Sequence, residues 1–316
     1  MGSGDEKISG DVTLVDDGAT RTFVKPGAFR DEATTAPIAR ELAAGMTIQS
    51  RYRLDRRLGE GGLGVVWAAR DEVQDRNVAL KFLKSLGDED VRRFEREARV
   101  TAALCHPHIV KVSDIFTLAS GTPVMVMDLL DGESLAARLR RGRLDVAEAA
   151  RVFLPVVEAV EAAHAALIVH RDLKPDNVFL SSKGVRVLDF GIAKLTETSE
   201  SVAIDAQITR SGHVLGTPHY MSPEQMYGDK TIDGRTDTWA IGVMLYEALA
   251  GRKPIEGNAL GSVFRAIASG TFVPVEQYAP VPAELAALVA AMMQIDREAR
   301  PPLRAVHDVL SRALTI

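Results

Sequence analysis

Gly59, Gly61 and Gly64 follow the pattern G-x-G-x-x-G between two strand-like runs. Glycines at that spacing let a backbone approach a polyphosphate and aim its N–H groups at it. The same pattern also suits a glycine-rich hairpin with no ligand, and a dinucleotide-binding fold would need it to open a helix. Val65, Val66 and Trp67 instead continue as a strand. Lys81 ends the run VALK, and strand alternation puts it on one face with Ala79 and Leu83. An ammonium among groups that face a core or a cleft needs an anion. Glu97 is the candidate partner, because it falls between Phe94 and Thr101 inside the apolar stripe of a helical run, where an unpaired carboxylate is costly. A Lys81–Glu97 pair would position the α- and β-phosphates of a nucleotide. Arg93, Arg96 and Arg99 offer Glu97 the alternative of a solvated helix edge. The densest polar cluster lies in IVHRDLKPDNVFL, residues 168–180, where His170, Arg171, Asp172, Lys174 and Asn177 share one loop between apolar runs.

These residues need elements to hold them. From Tyr52, YRLDRRLGEGGLGVVWAARDE and then RNVALKFLK read as alternating or β-branched strands broken by Gly- and Asp-rich turns, which predicts a small antiparallel sheet. Residues 89–104 take a helical period through Val91, Phe94, Ala98, Thr101 and Leu104. A further strand, Pro123–Leu129, leads into the polar turn DGES. Helical patterns dominate beyond it, over Leu135–Leu139, Val146–Ala166, Thr238–Ala250 and Pro282–Met293. The expected class is α+β, with a small antiparallel β-sheet lobe carrying one helix (51–131) and a larger, mainly α-helical lobe (132–316). Residues 1–50 read as a flexible N-terminal tail.

The ordered series H-R-D-L-K-P-D-N (170–177), D-F-G (189–191) and S-P-E (222–224) resembles the eukaryotic-type protein kinases over roughly residues 52–313. The wording VALKFL, HRDLKPDN and GTPHYMSPEQ is similar to that of the bacterial Ser/Thr kinases. The resemblance implies a two-lobed kinase fold and ATP-dependent phosphoryl transfer, with Mg2+ as the metal and Mn2+ as an alternative. It implies that Asp172 orients the acceptor hydroxyl, that Asn177 and Asp189 hold the metal, and that Lys174 sits by the γ-phosphate. Leu58, Val66, Ala79, Phe179 and Leu188 would sandwich the adenine, Met127 would guard an inner pocket, and backbone groups of Asp128 and Leu130 would read the base edge. Each of these, taken singly, is equally an ordinary core position. Asp128 stands where the family usually carries Glu. His170, Arg171, Phe190 and Gly191 would support the loop, Asp237 would bond its backbone, and Glu224 would pair with Arg300.

Lys174 and Thr217 resemble the arrangement in kinases that act on serine and threonine, so protein Ser/Thr hydroxyls are the expected acceptors. The long polar stretch between Asp189 and Glu224 resembles an activation loop, in which Thr209 and Ser211 would be autophosphorylated, in a transient dimer, and engaged by Arg171. Thr20 and Thr22 would be further sites, read by phosphothreonine-binding partners. The hydroxyls of the loop have the alternative of merely solvating it.

The net charge of -5 gives no field for a nucleic acid, and no apolar run is long enough to span a bilayer. One cysteine, Cys105, excludes a disulfide framework and fits the cytoplasm, and the seven histidines lack metal-ligand spacing. With 46% hydrophobic residues in a chain of 316, a sizeable core can be buried. The chain is expected to be either a soluble kinase or the kinase part of a longer protein. Two other classes compete. A catalytically dead binding module would be expected to lack Lys81, Asp172, Asn177 or Asp189, and all four are present. A small-molecule kinase would lack S-P-E and the long segment before it.

Overall fold

The computed structural model describes residues 42–61, 64–83, 102, 104–190, 218–229, 231–255 and 260–315. Glu97 and almost all of the helix read over 89–104 lie outside the described residues, as do Gly191, Thr209, Ser211, Thr217, Thr20 and Thr22.

The alternating runs pair into one antiparallel sheet. Its strands are β1 (Thr47–Ile48), β2 (Tyr52–Gly61), β3 (Gly64–Asp71), β4 (Arg76–Leu83), β5 (Val112–Thr117) and β6 (Pro123–Asp128), in the spatial order β1-β2-β3-β4-β6-β5. Register sets the face: Val66 lies opposite Lys81, Lys81 opposite Met125 and Ala79 opposite Met127. With a period of two, these five side chains share one side of the sheet. Residues 42–50 differ from the tail expected of them. Thr47 and Ile48 pair with Arg53 and Tyr52, the Gly45 N–H donates to the Leu54 carbonyl at 2.8 Å, and Ile48 is buried. A two-residue strand is too short for alternation to show in sequence.

A second, three-stranded sheet of β7 (Gly132–Ser134), β8 (Val178–Ser181) and β9 (Gly184–Val187) lies beyond β6, in the order β7-β8-β9. The helices that follow β6 are α1 (Leu135–Leu139), α2 (Val146–Ala165), α3 (Pro223–Met226), α4 (Arg235–Ala250), α5 (Leu260–Ser269), α6 (Ala283–Met292) and α7 (Leu303–Ala313). Asp145 caps α2 by accepting the Glu148 N–H at 2.7 Å. Every residue of α4 from Thr236 to Tyr246 is buried, as expected of a helix that is apolar all round. Its Trp239 and Leu245 form part of one contiguous core with Phe153, Val289, Val306 and Leu310.

Helix α2 delivers the chain to the polar loop through a Schellman turn, in which the Ile168 N–H reaches the Ala163 carbonyl and the Leu167 N–H the His164 carbonyl, both at 2.9 Å. The residue that carries the left-handed bend is Leu167, at φ 61°, with its side chain 93% exposed. A side chain there costs about 1–2 kcal/mol of backbone strain, and this one returns no burial. Leu167→Gly is therefore expected to raise stability by about 1 kcal/mol after the extra chain entropy of glycine is subtracted. Urea unfolding would check this, and an unchanged or lowered midpoint would contradict it.

Candidate active site

The polar loop is held from beneath by α4. Asp237, buried in its first turn, accepts the His170 N–H on Oδ2 and the Arg171 N–H on Oδ1, each at 2.9 Å, and its Oδ2 lies 2.8 Å from His164 Nε2. The His170 ring stacks at a tilt on Phe190, with centroids 4.7 Å apart. Its Nε2 lies 2.8 Å from the Leu188 carbonyl and its Nδ1 accepts the Asp172 N–H at 3.3 Å. One tautomer, with the proton on Nε2, satisfies both contacts. The loop and the strand after it are thus fastened through a single imidazole.

Above this base the reactive side chains gather. Lys174 Nζ donates to Asp172 Oδ2 at 2.8 Å, and Asn177 Nδ2 donates to the Asp172 carbonyl at 2.8 Å and to Oδ2 at 3.3 Å. The Leu188 N–H donates to the Asn177 carbonyl at 2.9 Å, which ties the loop to the segment carrying Asp189. Lys81, buried on β4, meets Asp189 Oδ2 at 2.5 Å. Sequence reasoning paired Lys81 with Glu97 and missed this contact, because 108 residues separate the two and no local period links them. Asp189 sits at φ 59°, a conformation Asp tolerates better than most residues.

Val66, Ala79, Met127, Leu130 and Leu188 come together in one apolar cluster with Leu83, Val110 and Met125. Leu58 is 39% exposed on β2 and lies outside that cluster. Phe179 lies on β8 opposite Ser134, half-buried and also outside it. A small cavity behind Met127 is lined by Val110, Met125, Asp189 and Phe190 among others. The Asp128 side chain, assigned no role in the sequence, accepts from Arg76 at 3.3 Å.

The glycines divide. A Cβ on Gly59 would meet nothing within 4 Å, so packing does not demand glycine there. Gly64, at φ 152°, would place a Cβ 2.0 Å from the Phe82 carbonyl oxygen, so the hairpin itself requires it. Gly64→Ala is expected to cost about 1–3 kcal/mol through strain and the forced shift of β4. Chemical denaturation checks this, and a midpoint equal to that of the parent would contradict it.

Further along, the Arg300 guanidinium grips the buried Glu224 carboxylate in a fork, at 2.7 and 2.9 Å. Burial, the largest single influence, pushes the Glu224 carboxyl up, but the hydrogen bonds from Arg300, the backbone and Ser222, together with the Arg300 charge, outweigh it, so its pKa lies below the ordinary value. Sequence reasoning missed a second clasp, Tyr220 to Glu247 Oε2 at 2.5 Å, which ties residues 218–220 to α4. Burial raises both groups, and their mutual charge and hydrogen bond add to the rise for the phenol.

A family model described as the protein kinase domain matches residues 52–310. The chain belongs to the protein kinase family. Among its curated relatives, serine/threonine-protein kinase pkn3 of Myxococcus xanthus is 39% identical over 224 residues, which cover 68% of this chain and 40% of the relative. Serine/threonine-protein kinase PknA of Mycobacterium tuberculosis is 37% identical over 270 residues, 82% of this chain and 59% of the relative. Serine/threonine-protein kinase pkn2 of Myxococcus xanthus is 34% identical over 284 residues, 84% and 34%. This kinase chain therefore spans between a third and three-fifths of the length of those relatives. Among its described residues no helix is long and apolar enough to cross a membrane.

Proposed function

We propose that the chain is a serine/threonine protein kinase that moves the γ-phosphoryl group of ATP onto Ser and Thr hydroxyls of proteins. The observation that carries the reading is the meeting of Asp172, Lys174 and Asn177 on one loop that is bonded to the strand end presenting Asp189 to Lys81. Asp172 would accept the hydroxyl's proton and aim its oxygen, and Lys174, already paired with Asp172, would face the transferred group. Lys81 and the open approach at Gly59 would serve the phosphates, and the cluster around Ala79 and Met127 would take the base. Thr217 keeps the role the resemblance implies, and Glu97 the pairing with Lys81 that its place in the helical stripe suggests.

The donor set fits a hard divalent ion. Among the described residues, Asn177 Oδ1 and Asp189 Oδ1 receive no hydrogen bond, and an amide with a carboxylate oxygen suits Mg2+ better than zinc. No group of three or more His, Cys, Asp or Glu among those residues could hold a metal unaided, which accords with a site completed by phosphate oxygens. When bound, Mg2+ neutralises phosphate charge. Autophosphorylation at Thr209 and Ser211 belongs to the same reading, supported by Arg171 beside Asp172. The single exposed cysteine, Cys105, supports a cytoplasmic setting.

Incubation with γ-labelled ATP, Mg2+ and a mixed protein substrate tests the reading. Label is expected in protein as phosphoserine and phosphothreonine. Label in phosphotyrosine, or in small molecules with none in protein, would overturn it.

A further inference from the structure

The side chain of Gln225, in α3, makes four hydrogen bonds to three different parts of the chain. Its Nε2 donates to the Arg171 carbonyl at 2.7 Å. Its Oε1 accepts from the Ser222 N–H at 3.1 Å, from Thr236 Oγ1 at 2.9 Å and from Ser222 Oγ at 3.3 Å. A carbonyl only accepts and a backbone N–H only donates, so the partners fix which way the amide points. No carboxylate could make the first contact and no ammonium the others.

The carbonyl that Gln225 holds is a special one. Arg171 lies at φ 66°, a strained position for a residue with a side chain, and such strain persists only where neighbours over-determine it. Asp237 takes the Arg171 N–H and Gln225 takes its C=O, so the backbone leading directly into Asp172 is gripped on both sides. The two grips come from different elements, Asp237 from α4 and Gln225 from the capping box that opens α3.

We infer that Gln225 is a positioning residue through which the 222–226 segment sets the aim of Asp172. The inference rests on the reading of Asp172 as the group that orients the acceptor hydroxyl. Its chemistry is separable. Glutamate at 225 keeps the oxygen that serves Ser222 and Thr236 but turns a second acceptor on the Arg171 carbonyl. Lysine keeps a donor for that carbonyl and loses the acceptor for the cap.

The test compares kcat, the KM for ATP and Tm for the parent, Asp172→Asn, Gln225→Glu, Gln225→Lys and Ser222→Ala. Gln225→Glu is expected to lose roughly 10- to 100-fold in kcat at a nearly unchanged KM for ATP, the scale of an ångström-level misplacement. Ser222→Ala removes one of the contacts on the Gln225 oxygen and is expected to lower Tm and to cost less kcat than Gln225→Glu, and Gln225→Lys to lower Tm while retaining more kcat than Gln225→Glu. Parent-like kcat in Gln225→Glu, or a loss no greater than that of Gln225→Lys, would overturn the inference. Should Gln225→Glu fail to fold, Gln225→Met, which has neither donor nor acceptor, replaces it. The inference then requires the lysine variant to be the faster of the two, and equal rates overturn it. A parent-like rate in Asp172→Asn would instead overturn the reading on which the inference stands.

Discussion

Asp172→Asn is expected to lower kcat by roughly 10²- to 10⁴-fold, the usual worth of a positioned acid–base group. Asparagine has nearly the same shape, so the loop should survive. The Asp172 backbone carbonyl keeps its bond from Asn177, and Asp237 still holds the two preceding N–H groups. What the substitution removes is the negative oxygen that accepts from Lys174 and Asn177, and with it the capacity to take a proton from the acceptor hydroxyl. Loss in kcat with the KM for ATP nearly unchanged would mark an interaction made only in the transition state. Lys81→Met should behave differently. It leaves Asp189 without its 2.5 Å partner and should raise the KM for ATP as well. Steady-state kinetics at saturating Mg2+ separate the two, and an Asp172→Asn rate within about tenfold of the parent would remove Asp172 from the centre of the reaction.

Most of this site could be read before any geometry was known, for reasons that lie in particular residues. His170, Asp172, Lys174 and Asn177 are unlike residue types packed at short spacing, Asp189 opens a short motif of its own, and local order of that kind survives in a sequence. Strand alternation placed Lys81 and Ala79 on one face, and the β4–β6 register added Met127. The helices 135–139, 146–165 and 235–250 were legible from their apolar runs to within three residues at either end. Contacts between distant segments were not. Lys81–Asp189, Tyr220–Glu247 and Gln225–Arg171 each join elements whose proximity only the fold decides. Helix α7 was missed for a different reason. Leu303, Val306, Leu310 and Ala313 have clean helical spacing and are all buried, but the polar residues between them dilute the run. Gly64 shows the converse case: a residue read for ligand approach is demanded by the backbone of its own hairpin.

The largest stability effect is expected at Arg300. Its guanidinium donates to both Glu224 oxygens and to the carbonyls of Gln294, Arg235 and Ile295, and it lies over the Trp239 ring at 5.1 Å from the centroid. With Arg300 4% exposed and Glu224 7%, neither charge has water to fall back on. Arg300→Met is expected to cost about 3–5 kcal/mol, because it leaves a buried carboxylate unpaired rather than merely deleting a bond. The double variant Glu224→Gln, Arg300→Met removes that charge and should recover part of the loss. The pH dependence follows from the direction of the Glu224 shift. In the parent its folded pKa lies below the ordinary 4.5, so the stability it contributes is present above that value and is lost as pH falls through the folded pKa. Arg300→Met removes both Arg300 contributions and leaves burial, the largest influence, to push the carboxyl up, so the variant's penalty is relieved by protonation as pH falls. The gap between the two proteins should therefore be widest at neutral pH and close toward acid. Urea unfolding of all three proteins from neutral to mildly acidic pH measures it. A gap under about 1 kcal/mol at neutral pH, or one that widens toward acid, would show that the fork is not what holds the 222–226 segment on the helical lobe.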